Sequence, residues 1–124
     1  MIVLSVDDSA IIRRFIQGAV EVMGLDFAGV EHGQAALDYL REHANDVCLV
    51  LLDWNMPVLD GFSTLQKLQS DPDLKQIPVM MVTTETERTN IVKAIQAGAK
   101  NYLTKPFSQE DLMIKMNECL AMTV

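Results

Sequence analysis

The sequence is short of positive charge. Ten Lys and Arg face seventeen Asp and Glu, for a net charge of −7 and a pI of about 4.6. A nucleic-acid binder needs a basic stripe to neutralise phosphates, so that class is excluded as the expected partner. Cysteine is scarce too. Cys48 and Cys119 are the only two, they lack metal-ligand spacing, and both are read as buried, reduced thiols. No apolar run approaches the roughly 20 residues that span a bilayer. The opening MIVLSVDDS has no basic stretch and turns acidic at once, unlike a secretory leader. Without leader, span or disulfide framework, a cytoplasmic protein with no membrane insertion is expected.

What is present is apolar and periodic. Hydrophobic residues make up 49% of 124 residues, enough for one cored domain, here taken as 1–124. Short β-branched runs fall at 2–6, 27–30, 48–52, 78–82 and 101–103. Runs such as Ile2-Val3-Leu4 and Val47-Cys48-Leu49-Val50-Leu51-Leu52 are apolar on both faces, as strands of a covered parallel sheet are. Between them the spacing turns helical. A first helix is expected over 9–23, capped by Ser9 or Asp8 and stopped by Gly24. A second covers about 34–43, and a third follows Asp60-Gly61 and ends before Asp71-Pro72. A fourth carries a capping-box pattern, Thr84-x-x-Glu87, and stops at Gly98. A fifth starts at Ser108, with Asp111 three residues on, and runs to about Met122. Five β-α units imply right-handed crossovers and an α/β doubly wound parallel sheet, with the flavodoxin-like (βα)5 order 2-1-3-4-5 the leading choice.

In such sheets the ligand site lies at the carboxyl ends of the strands, by the switch between strands 1 and 3. Strand 1 ends in Asp7-Asp8 and strand 3 in Asp53. Three converging carboxylates repel one another unless a proton or a cation neutralises them. Oxygen ligands without His or Cys favour a hard cation, Mg²⁺ (with Mn²⁺ a second candidate) over Zn²⁺. Mg²⁺ takes one or two carboxylates and completes its shell with water and phosphate, so the site reads as built for a phosphoryl group. Lys105 can offset phosphoryl charge, and Thr83 can donate a hydroxyl. Asp53 is a candidate nucleophile, because carboxylates form acyl phosphates. The physics does not single it out from Asp7 or Asp8.

The ordered set Asp7-Asp8, Asp53 with Met56-Pro57-x-x-Asp60-Gly61, Thr83, and Lys105-Pro106-Phe107 resembles the receiver domains of response regulators over essentially the whole chain. Asp53-Trp54-Asn55-Met56-Pro57, Asp8-Ser9, Arg13-Arg14, Asn90-Ile91 and Gln96-Ala97-Gly98-Ala99 look closest to the chemotaxis branch of the CheY type. Strand order 2-1-3-4-5 is also what this resemblance implies, so the two expectations are not independent. The resemblance implies that Asp53 accepts phosphate from a histidine kinase, a phosphotransfer protein or a small phosphodonor. Asp8 and Asp53 then hold Mg²⁺, with Asp7 helping through water and Asn55 offering its backbone carbonyl. Lys105, before a cis bond to Pro106, contacts the phosphoryl group. Thr83 and Tyr102 form a switch pair that reshapes the face of helix 4, strand 5 and helix 5, where Ile91, Lys93, Tyr102 and Lys115 are candidates for binding a downstream target. With no output domain after Val124, the signal is expected to leave by protein binding, and the chain to catalyse only its own phosphorylation and dephosphorylation.

Thr84 departs from the family, which usually has Ala or Gly there. A branched residue is expected to narrow access and slow the chemistry. Asn55 and Glu85 stand where the family tunes phosphoryl lifetime. Other readings are an aspartyl-phosphate phosphatase, disfavoured by Asn55 in place of a general acid and by the lack of room for a cap domain, and a pseudo-receiver binding module, disfavoured by intact Asp8, Asp53 and Lys105. Trp54 is expected to be partly exposed beside the site. His32, His43, Arg13 and Arg14 are read as solvated, with a docking role for the two arginines less favoured. Met113 and Met116 are placed toward the surface.

Overall fold

A computed structural model describes residues 1–121. The order is β1 (Ile2–Val6), α1 (Ala10–Val22), β2 (Asp26–Val30), α2 (Gly33–His43), β3 (Val47–Leu52), α3 (Gly61–Ser70), β4 (Val79–Thr83), α4 (Arg88–Gln96), β5 (Asn101–Thr104) and α5 (Gln109–Ala121). The expected end of the last helix at Met122 lies outside the described residues. All strand pairs are parallel, and the sheet order is β2-β1-β3-β4-β5, as expected.

The alternation of side chains along each strand sorts the core into two layers. Val3, Leu49, Leu51, Met80 and Val82 join Ile16, Ala19 and Val20 of α1 and Leu112, Met116 and Cys119 of α5. Leu4, Val6, Val50, Leu52, Val79 and Met81 join Ala36, Leu37 and Leu40 of α2, Leu65 and Leu68 of α3, and Ala94 of α4. Met116 is therefore fully buried, contrary to expectation, because Leu112, Met116 and Cys119 share one helix face at i, i+4 and i+7. Cys119 is buried but Cys48 only half-buried. Conversely, α1 carries more apolar residues than it buries, and Ile11 (79% exposed) and Phe15 (42%) face outward.

Local chemistry sets the helix ends. Ser9 Oγ accepts the Ile12 N–H at 3.3 Å, and Gly24 (φ 75°) follows α1 in the left-handed region. Asp60 Oδ1 accepts the Ser63 N–H at 2.7 Å. Ser108 and Asp111 form a reciprocal box, Ser108 Oγ accepting the Asp111 N–H and Asp111 Oδ2 the Ser108 N–H. The box expected at Thr84 and Glu87 does not form. Helix α4 begins only at Arg88, and Glu87 caps it without a side-chain bond. Thr83 Oγ1 instead accepts the Glu85 N–H, and Glu85 Oε1 the Glu87 N–H, so side chains satisfy the backbone in a loop. His32 is not simply solvated: half-buried, it caps α2 by accepting the Ala35 N–H on Nδ1 at 3.1 Å. His43 stacks on Tyr39 with ring centroids 4.3 Å apart. Among the described residues, no helix is long and apolar enough to cross a membrane.

Candidate functional site

The parallel sheet delivers its carboxyl ends to one edge, and the site is assembled there. The Asp53 N–H donates to the Val6 carbonyl and the Asp7 N–H to the Val30 carbonyl, which ties the ends of β1, β2 and β3 together. Asp7 is 2% and Asp53 6% exposed, while Asp8 is exposed. One oxygen from each of the three carboxylates lies within 4.8 Å of the others.

Lys105 reaches in from the end of β5. Its Nζ lies 2.7 Å from Asp7 Oδ2 and 3.1 Å from Asp53 Oδ2. The other Asp7 oxygen accepts the Ser9 N–H, and the other Asp53 oxygen accepts the Trp54 N–H at 2.7 Å. Burial nevertheless pushes the Asp7 carboxyl above the usual aspartate value of 3.8, and the Asp53 charge adds to this against the Lys105 and Ser9 hydrogen bonds. Burial opposes the charge on Lys105, but the Asp7 hydrogen bond and the two carboxylate charges outweigh it and raise its pKa. The peptide bond to Pro106 is cis, as the resemblance implied.

The loop after β3 is tightly constrained. The Gly61 N–H donates to the Trp54 carbonyl, and a Cβ on Gly61 would lie 2.0 Å from the Asp53 carbonyl oxygen. Only glycine lets α3 start this close to the phosphoacceptor candidate. Trp54 is half-buried and stacks on Phe62 at 5.4 Å, with Lys93 of α4 4.4 Å over the Phe62 ring. Asn55 follows with an exposed side chain.

Thr83 is fully buried at the end of β4, Thr84 exposed and Glu85 half-buried. The Tyr102 hydroxyl donates to the Glu85 carbonyl at 2.8 Å. Burial, with the Glu85 and Asp53 charges, pushes its pKa up to about 12. Thr83 and Tyr102 thus meet through one residue, since Glu85 gives its N–H to Thr83 and its carbonyl to Tyr102.

The structure therefore brings Asp7, Asp8, Asp53 and Lys105 together. The expectation of a solvated Arg13 is corrected: its guanidinium donates to the Asp7 backbone carbonyl, only 18% of its side chain is exposed, and Arg14 alone is exposed. The sequence carried a faint signal for it, a glycine at position 29 that leaves room for its stem.

The donor set fits a hard divalent cation. All three groups are carboxylates, and with Glu31 beside Arg13 they outnumber the nearby Lys105 ammonium and Arg13 guanidinium, leaving an excess of negative charge. Asp7, Asp8 and Asp53 would hold it.

Residues 3–117 match the response regulator receiver domain family. The chain is 37% identical over 121 residues to the chemotaxis protein CheY1 of Helicobacter pylori, covering 97% of each. It is 36% identical to the chemotaxis protein CheY homolog of Campylobacter jejuni, covering 97% of this chain and 92% of that one. Among solved structures it is similar to the Vibrio cholerae chemotaxis protein CheY4 (TM-score 0.88, 29% identity, 96% and 98% covered). The receiver domain of Francisella response regulator 1452 is also similar (TM-score 0.86, 32% identity, 99% and 98% covered). With its carboxylate cluster at the switch point of a 2-1-3-4-5 sheet, the chain belongs to the response regulator receiver domain family.

Proposed function

We propose that this receiver is a phosphorylation switch on Asp53, acting in a chemotaxis-type pathway as the names of its relatives suggest. One observation carries the reading: the Lys105 ammonium bridges Asp7 and Asp53, the geometry needed to grip an oxygen of a phosphoryl group on Asp53. An Asp53 carboxylate oxygen attacks phosphorus, the phosphorus–nitrogen bond of a phosphohistidine breaks, and the imidazole leaves. When bound, Mg²⁺ or Mn²⁺ supplies positive charge to the phosphoryl oxygens, held by Asp8, Asp53, the Asn55 backbone carbonyl and Asp7.

A histidine kinase or phosphotransfer protein delivers the group across the apolar rim beside Lys105, where Ile11 and Phe15 are exposed and Phe107 packs edge-on against Phe15 at 5.7 Å. Phosphorylation draws the Thr83 hydroxyl from the Glu85 N–H, and Glu85 carries the change to Tyr102. The readout is binding of a downstream protein through α4, β5 and α5, with Ile91, Lys93, Tyr102 and Lys115 on that face. The chain acts on no other substrate and works in the cytoplasm. Asn55 and Glu85 set the phosphoryl lifetime, and Thr84 narrows access, so Thr84→Ala accelerates phosphorylation by acetyl phosphate.

Trp54, the only tryptophan, supplies the test. Its emission is titrated with Mg²⁺ and then with beryllofluoride. Stepwise changes are expected in wild type, with the beryllofluoride step lost in Asp53→Ala. No response in either protein removes the proposal.

A further inference from the structure

Arg13 sits in the first turn of α1, yet its side chain crosses the carboxyl ends of β1 and β2. The guanidinium donates to the Asp7 carbonyl, and Nη2 lies 3.9 Å from a Glu31 carboxylate oxygen. Its stem passes over residue 29, where a Cβ would lie 3.1 Å from Arg13 Cδ. A side chain at residue 29 would crowd this stem and the Phe27 ring, 3.2 Å away.

The carbonyl that it holds belongs to the Asp7–Asp8 peptide. A peptide is planar, so a donor that fixes this oxygen also fixes where the Asp8 Cα lies. Asp7 has other anchors, since its side chain is held by Lys105 and the Ser9 N–H, and its own N–H by Val30. The exposed Asp8 side chain has no hydrogen bond or ion pair among the described residues. The direction of its carboxylate depends on the peptide before it.

We propose that Arg13 is a positioning residue for the cation site, holding the Asp7–Asp8 peptide so that the Asp8 carboxylate meets those of Asp7 and Asp53. This rests on the cation-dependent reading given under Proposed function. Charge alone predicts the opposite effect: removing a nearby cation would tighten binding of a divalent ion. Positioning predicts that its removal weakens binding.

The test is a Mg²⁺ titration by Trp54 emission on wild type, Arg13→Gln and Arg13→Lys, with melting temperatures with and without Mg²⁺. Arg13→Gln is expected to weaken Mg²⁺ binding about tenfold, the scale for partners behind metal ligands. Arg13→Lys recovers part of the loss, because an ammonium can still donate to the carbonyl. At saturating Mg²⁺, phosphorylation of Arg13→Gln by acetyl phosphate returns close to the wild-type rate. Unchanged or tighter Mg²⁺ binding with only a lower melting temperature overturns the proposal. Should Arg13→Gln not fold, Arg13→Lys decides: weaker binding than wild type supports it, and equal binding overturns it. A wild type silent to Mg²⁺ sinks the cation reading and this inference together, whereas a responsive wild type with an identically titrating Arg13→Gln sinks only the inference.

Discussion

Val58 is a residue in the wrong conformation for its type. It is 77% exposed with φ at 68°. The Leu59 N–H bonds the Pro57 carbonyl across it at 2.7 Å, giving a three-residue turn of the rare positive-φ kind. A β-branched side chain in this region is strained by roughly 1–3 kcal/mol. Glycine relieves that strain but costs about 0.5–1 kcal/mol of extra chain entropy. Val58→Gly is therefore expected to stabilise the fold by about 1 kcal/mol, read from urea unfolding at fixed m. Lower stability would show that the backbone here is not strained by valine.

At the scale of elements, the helix N-termini bind the site to the scaffold. Helix α2 starts beside the loop that follows Asp53, because the Gly33 N–H donates to the Leu59 carbonyl. A Cβ on Gly33 would lie 1.8 Å from Thr64 Oγ1, so glycine also permits the approach of α2 to α3. His32 caps this helix by accepting the Ala35 N–H on Nδ1. His32→Ala is expected to cost about 1 kcal/mol at pH 8, and His32→Asn to keep most of the cap. Thermal melts of the three proteins check this; equal melting temperatures for His32→Ala and wild type would show that the cap contributes nothing. Helix α4 is the contrasting element. It buries only Ala94 and lacks a side-chain cap, so less packing holds it in place than holds the other helices.

At the scale of the whole molecule, the fold concentrates negative charge at one edge, which links stability to pH. The folded pKa of Asp7 is raised by burial above its ordinary 3.8. A raised carboxyl pKa means that the folded state holds the proton more tightly. The stabilisation is then complete below the unfolded value and is lost as pH rises through the folded pKa. In EDTA, wild type is expected to lose stability relative to Asp7→Asn as pH rises above about 4. Mg²⁺ at pH 7 should raise the wild-type melting temperature and affect Asp7→Asn less. Parallel stability curves for the two proteins in EDTA would exclude the linkage.

The sequence by itself determined the five β-α units, because the apolar period switches between continuous runs and helical spacing. It also determined the caps at Ser9 and Ser108 and the carboxylates at two strand ends, since these depend on neighbours within a few residues. The exception at Thr84 is instructive: a capping-box pattern yielded to side-chain bonds that the loop satisfied first. Only the tertiary structure decided that Lys105, 98 and 52 residues from Asp7 and Asp53, bridges both. It also laid the stem of Arg13 over Gly29 and set its guanidinium beside Glu31. Each of these depends on which strand lies beside which, and side chains far apart in sequence meet only after parallel crossovers bring the strand ends to one edge.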